Sequence, residues 1–154
     1  MELYELASPV ETFLAAKADL MFEPLGGTLE LTPLCNMNCK MCYIRKSSDE
    51  VKKAGGLLGI SEWIRIAKEL KDRGVLFLLL TGGEPLTYPW FEQLYKELLS
   101  MGFVITINTN GTMINEKLIR LFRDYPCRRL NVTIYGKDNE TPFEQHFLSA
   151  LIAP

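Results

Sequence analysis

The sequence predicts an α/β fold built on a parallel sheet, and three observations carry that prediction. Strand-like runs alternate with helical patterns in the order β-α-β-α-β-α-β, the connections are short, and the run Val75 to Leu80 is apolar throughout. An unbroken apolar run of that length marks a strand covered on both faces, the habit of parallel sheets. A helix between each pair of strands supplies the right-handed crossover that parallel neighbours require.

Each element has its own local signature. Ser8-Pro9-Val10-Glu11 is a capping box with proline at the first helical position, followed by Phe13, Leu14 and Leu20 among polar residues. Pro24 and Gly26-Gly27 close this N-terminal helical segment, residues 1–27. Thr28 to Thr32 alternates and stops at Pro33, which reads as a first strand. Arg45 to Gly59, rich in Ser, Lys and Gly, reads as a surface loop. Ser61 caps a helix reaching Asp72, with Ile64, Ala67 and Leu70 on one face and Gly74 past its end. After the strand Val75 to Leu80, a helix runs from about Pro89 to Met101 and stops at Gly102. Phe103 to Asn108 is the third strand, Asn115 caps the third crossover helix, and Arg129 to Tyr135 is a fourth strand ended by Gly136.

Composition narrows the function classes. The chain has 154 residues, enough for one domain, with 17 Lys+Arg against 19 Asp+Glu and a formal charge of −2. That balance gives no electrostatic footprint for nucleic acid or an acidic membrane surface. With 47 % hydrophobic and 23 % charged residues the composition is that of a globular protein rather than a disordered one. No apolar run approaches the ~20 residues of a spanning helix. Met1 to Leu6 carries acids where a signal peptide needs Lys or Arg, which predicts a cytoplasmic chain. No G-x-x-x-x-G-K-[ST] occurs, Gly55 to Gly59 follows no strand, and one histidine makes a poor hydrolase triad.

The polar clusters all fall at the C-terminal ends of strands, where ligands gather in parallel α/β folds. Cys35, Cys39 and Cys42 follow the first strand with the spacing C-x3-C-x2-C. Gly82-Gly83-Glu84-Pro85 follows the second, and Thr109-Asn110-Gly111 the third. Three thiolates on one loop can converge on one centre, and soft sulfur ligands select zinc, copper(I) or iron–sulfur. A structural zinc site needs a fourth ligand, for which Cys127 and His146 are remote candidates. A four-iron cluster is usually held by four cysteines, so three leave one iron open. Glycines permit close approach of a ligand to the backbone, and a carbonyl or the Glu84 carboxylate suits an ammonium donor.

Leu29-Glu30-Leu31-Thr32-Pro33-Leu34 leading into the three cysteines, together with Gly82 to Pro85 at the next strand end, resembles the signature of the radical S-adenosylmethionine enzymes. The resemblance runs from about Thr28 to Gly136. It implies that Cys35, Cys39 and Cys42 hold a [4Fe-4S] cluster whose open iron chelates S-adenosylmethionine. It implies reductive cleavage to a 5′-deoxyadenosyl radical that abstracts hydrogen, with a flavodoxin or ferredoxin as electron donor. Gly82, Gly83, Glu84 and Pro85 would meet the methionine amino group. Met41 takes the place of an aromatic beside the adenine, Tyr43 follows with aromatic packing, and Thr109, Asn110 and Thr133 match positions facing ribose or carboxylate.

The sequence looks most like members that modify peptides or proteins, so a peptide or protein substrate is implied. The family's core has six β/α units in a partial barrel. Four strands are predicted here, so the resemblance implies an incomplete barrel over 28–136 and an irregular tail over 137–154. Two open sheet edges then predict self-association or a partner subunit. The contrasting reading is a non-catalytic iron–sulfur or zinc-binding remnant, and a doubly wound binding domain with incidental cysteines ranks last.

Overall fold

The computed structural model describes residues 8–133. Helix α1 (Pro9–Met21) leads into strand β1 (Gly26–Glu30); a short helix α2 (Ser48–Lys53) and helix α3 (Ile60–Asp72) precede β2 (Phe77–Thr81). A 3₁₀ turn (Pro85–Thr87) and α4 (Phe91–Ser100) lead to β3 (Val104–Thr109), and α5 (Glu116–Asp124) to β4 (Arg129–Val132). The strands lie in the order β1-β2-β3-β4, all parallel, in an open sheet.

Sequential order with right-handed crossovers puts every crossover helix on the same face. Alternation along the strands confirms it: Leu78, Leu80, Ile105 and Ile107 are at most 1 % exposed and join Ala67 of α3, Leu94 and Leu98 of α4 and Leu121 of α5 in one core. The opposite face carries Thr28, Phe77, Leu79 and Thr106, which line a shallow groove. This singly wound arrangement is the one that curls towards a barrel.

Several boundaries differ from the sequence reading, each for a local reason. The first helix ends not at Pro24 but at Phe22, whose left-handed backbone (φ 54°) turns its N–H back onto Ala18 and Asp19 carbonyls. Gly26 and Gly27 consequently open β1, paired with Phe77 and Leu78 of β2. The third helix is entered at Gly59, not Ser61, because the Glu62 carboxylate accepts the Gly59 N–H at 2.7 Å. The predicted loop Arg45 to Gly59 contains α2, closed at its start by the reciprocal bonds Glu50 N–H to Ser47 Oγ and Ser47 N–H to Glu50 Oε2. The predicted end of the fourth strand at Tyr135 and Gly136, the tail 137–154, His146 and Met1 to Leu6 lie outside the described residues. No described helix is long and apolar enough to cross a membrane.

Helix α1 contributes no buried residue and is held instead by an ion pair. Arg128, just before β4, donates from Nε and Nη2 to the two carboxylate oxygens of Glu11 at 2.7 and 2.8 Å, and stacks over Phe77. Hydrogen bonding from Arg128 lowers the Glu11 carboxyl from 4.5 to about 2. A carboxyl lowered by folding contributes stability above its ordinary value and loses it as pH falls through the folded one. The tether is therefore expected to hold at pH 5 and weaken towards pH 2. A carboxyl-carbon NMR titration should place Glu11 near 2 in the native chain and clearly higher in Arg128→Ala, though still below its ordinary value because the Ser8 N–H bond remains.

Candidate functional site

Past the ends of β1 and β2 the two chains continue to bond to each other. Leu31 N–H donates to the Thr81 carbonyl at 2.9 Å, Gly83 N–H to Thr32 at 2.7 Å and Glu84 N–H to Leu34 at 2.8 Å. The segment leading into Cys35 is thereby fastened to the glycine pair. No side chain fits between them. A Cβ on Gly82, whose φ is +140°, would stand 3.1 Å from Thr32 N and nearer still to the Thr32 carbonyl oxygen. One on Gly83 would lie 2.7 Å from the Leu34 carbonyl carbon and 2.8 Å from Pro33 O. The sequence reading assigned these glycines to close approach of a ligand; the closest approach is that of the protein's own backbone.

Glu84 turns inward. It is fully buried, and its Oε1 accepts Leu86 N–H at 3.0 Å and the Thr109 hydroxyl at 2.7 Å, while Oε2 accepts Asn110 N–H at 2.7 Å. Its carbonyl accepts the Thr87 N–H and hydroxyl. Burial pushes the carboxyl above its ordinary value against the pull of these donors. The expectation that this carboxylate faces an ammonium ligand meets a side chain whose oxygens already serve three protein donors. Gly82 and Gly83 differ: no described donor reaches their carbonyls.

Above this floor lies a cavity of about 310 Å³, within the ~300–1,000 Å³ usual for cofactor sites. Cys35, Cys39 and Cys42 all line it, as do Gly82 and Gly83. Of the softer expectations, Met41, Tyr43, Thr109, Asn110 and Thr133 are in the lining, whereas Glu84 and Pro85 are buried beneath it. Met41 and Tyr43 are 70 % and 91 % exposed, placing them at the rim. Thr109 is buried, its hydroxyl committed to Glu84 and to the Gly111 N–H. Thr133 extends the sheet, its N–H donating to the Thr109 carbonyl at 3.0 Å.

The sulfurs receive N–H donors. Met37 N–H donates to Cys35 Sγ and Arg45 N–H to Cys42 Sγ, each at 3.4 Å, and the Asn110 amide reaches Cys35 Sγ at 3.7 Å. Burial, then the nearby Glu84 charge, push the Cys35 thiol up, while the Met37 and Asn110 donors pull it down. Among the described residues no three Cys, His, Asp or Glu side chains close around a single ion. One zinc would draw its sulfurs to ~3.8 Å of each other, given Zn–S of ~2.3 Å. Three thiolate donors round one cavity, two of them supplied with N–H groups, are a donor set that fits an iron–sulfur centre. Cys127, the candidate fourth zinc ligand, packs against the helical core beside Tyr95 and is not in the lining.

Sequence reasoning passed over Met37, Ile44, Thr81 and Asn108, which complete the lining. Asn108 was findable, since it precedes Thr109-Asn110 on the strand face away from the buried Ile105 and Ile107. Asn36 and Thr112 were also missed; Asn36 bonds to both Asn110 and Thr112 across more than seventy residues.

Fold and site together define a parallel α/β protein with a sheet-end cavity lined by a three-cysteine loop. The profile of the Radical SAM superfamily matches residues 29–148, and the chain belongs to that superfamily. It is 30 % identical over 102 residues to the antilisterial bacteriocin subtilosin biosynthesis protein AlbA of Bacillus subtilis, covering 66 % of this chain and 22 % of that one. It is 34 % identical over 112 residues to the AdoMet-dependent heme synthase of Methanosarcina barkeri, covering 73 % and 31 %. The chain thus spans between a fifth and a third of these relatives' length. Streptococcus suis SuiB bound to its precursor peptide SuiA shares the fold, with TM-score 0.56 and 24 % identity over 77 % of this chain and 28 % of that one.

Proposed function

We propose that this chain holds a [4Fe-4S] cluster through Cys35, Cys39 and Cys42, binds S-adenosylmethionine beside it, and serves radical modification of a peptide or protein. The observation that carries the proposal is the shared cavity: three cysteines from one strand end and the Gly82-Gly83 pair from the next face the same space. Held by these three thiolates, a reduced cluster would supply the one electron needed to cleave a carbon–sulfur bond of the sulfonium. The chain's residues do the holding. The carbonyls of Gly82 and Gly83 would accept the amino group, and the buried Glu84 carboxylate, bonded to three protein donors, would brace them from beneath. Met41 and Tyr43 at the rim would pack against the apolar faces of the ligand. A flavodoxin or ferredoxin would supply the electron. The peptide assignment is supported by the relatives, among them AlbA and the PqqA peptide cyclase of Rhodopseudomonas palustris.

Anaerobic reconstitution with iron and sulfide tests it. The expected result is a reduced-cluster resonance that shifts on adding S-adenosylmethionine, with release of 5′-deoxyadenosine. Stoichiometric zinc with no bound iron would overturn the proposal, and a cluster indifferent to S-adenosylmethionine would reduce it to a non-catalytic module.

A further inference from the structure

Asn110, in the cavity lining, closes a ring with the side chains of Asn36 and Thr112. The Asn110 amide donates to Asn36 Oδ1 at 2.9 Å, the Asn36 amide to the Thr112 hydroxyl at 2.6 Å, and that hydroxyl to Asn110 Oδ1 at 2.6 Å. The ring settles which way Asn110 points. Thr112 N–H, which can only donate, lies 3.0 Å from Oδ1, so the other arm must be the NH2. That NH2 faces Cys35 Sγ at 3.7 Å as well as Asn36. Asn110 is further fixed through its backbone N–H, held by the buried Glu84.

An Asn-Gly turn alone does not require this. The turn uses only Oδ1, which accepts from the N–H two residues on. The NH2 group is spent instead on the cysteine loop, 74 and 75 residues away in the chain. The other N–H donors to sulfur come from within that loop, two or three residues from the cysteine they serve. Cys35 thus receives two donors, Cys42 one, and no described donor reaches Cys39.

We infer that Asn110 is a positioning residue for Cys35: locked by Asn36 and Thr112, it donates a hydrogen bond that makes a cluster held there easier to reduce. The inference rests on the proposed cluster. An N–H pointed at a ligating sulfur favours the state with more negative charge, and hydrogen bonds to sulfur are among the levers that set cluster potentials. Through Glu84 the glycine motif, the third strand end and the first cysteine then act as one rigid unit.

Asn110→Asp keeps the turn oxygen and removes the donor, while adding a negative charge. Asn110→Ser removes the donor without adding charge. Both reconstituted proteins are expected to bind as much iron as the native chain, yet to be harder to reduce in an EPR-monitored redox titration. The shift should be roughly tenfold in the reduction equilibrium, about 59 mV for one electron, and larger for Asp. Equal potentials at equal iron content would overturn the inference. A native chain that takes up no iron would instead overturn the cluster proposal itself, and this inference with it. In the metal-free chain, Asn36→Ala should speed solvent exchange of the Asn110 side-chain amide by about fivefold, the worth of one hydrogen bond of ~1 kcal/mol. Unchanged exchange would show that the ring does not hold Asn110, which also overturns the inference.

Discussion

Gly83→Ala is expected to destabilise the fold by about 3 kcal/mol or more, the upper end of overpacking costs and a large share of the ~5–15 kcal/mol available to a domain. The added methyl meets backbone rather than a side chain that can rotate away: the Leu34 carbonyl, and Pro33 O at 2.8 Å. To relieve the clash the segment 32–34 must move, which breaks the bonds from Gly83 N–H to Thr32 and Glu84 N–H to Leu34. Cys35 is the next residue, so the displacement passes directly into the cysteine loop. Urea unfolding followed by circular dichroism should show the lost stability, and iron uptake on reconstitution should fall with it. Stability within about 1 kcal/mol of the native chain, the range of well-tolerated core swaps, would contradict the steric account. Gly59→Ala is the matched control, because a Cβ there meets only the Glu62 side chain at 3.5 Å.

The same contrast explains what was legible in the sequence. Strand existence and order could be read because Val75 to Leu80 is apolar throughout and each crossover needs a helix of recognisable period. The two-sided cover which that run predicts is not met: Phe77 and Leu79 are only half-buried, on the face the helices leave open. Strand ends could not be placed as well. Gly26-Gly27 looks like a helix terminator, but the turn is made by Phe22, and nothing in its side chain announces a left-handed backbone. Helix α2 was missed although Ser47 and Glu50 form a capping box, because six residues are too few to show an apolar period. In the site, the cysteine loop and the glycine pair were legible as local motifs. The ring of Asn36, Asn110 and Thr112 was not, since each bond to Asn36 joins segments brought together only by β1-β2-β3 pairing. The inward turn of Glu84 belongs to the same class: its direction follows from the Gly82 backbone and the Thr32 to Leu34 contacts, not from its own type.

Glu84→Ala follows from that inward turn and is expected to cost about 3–5 kcal/mol, since each buried donor left without a partner costs ~1–3 kcal/mol. Three donors lose their acceptor at once: Leu86 N–H, Asn110 N–H and the Thr109 hydroxyl. Glu84→Gln keeps the shape but presents an NH2 group to donors on one side or the other, so about 2 kcal/mol should still be lost. Acidity separates charge from shape. Because burial raises the Glu84 carboxyl above its ordinary 4.5, the folded chain binds a proton more tightly than the unfolded one, and stability from this group falls as pH rises through 4.5. Glu84→Gln has no such titration, so its deficit relative to the native chain should be largest at acid pH and shrink as pH rises. Urea midpoints measured from pH 4 to 8 read this directly. A Glu84→Ala chain as stable as the native one would mean that the strand ends hold together without their buried carboxylate, and that the cavity floor is set by the Gly82-Gly83 backbone contacts alone.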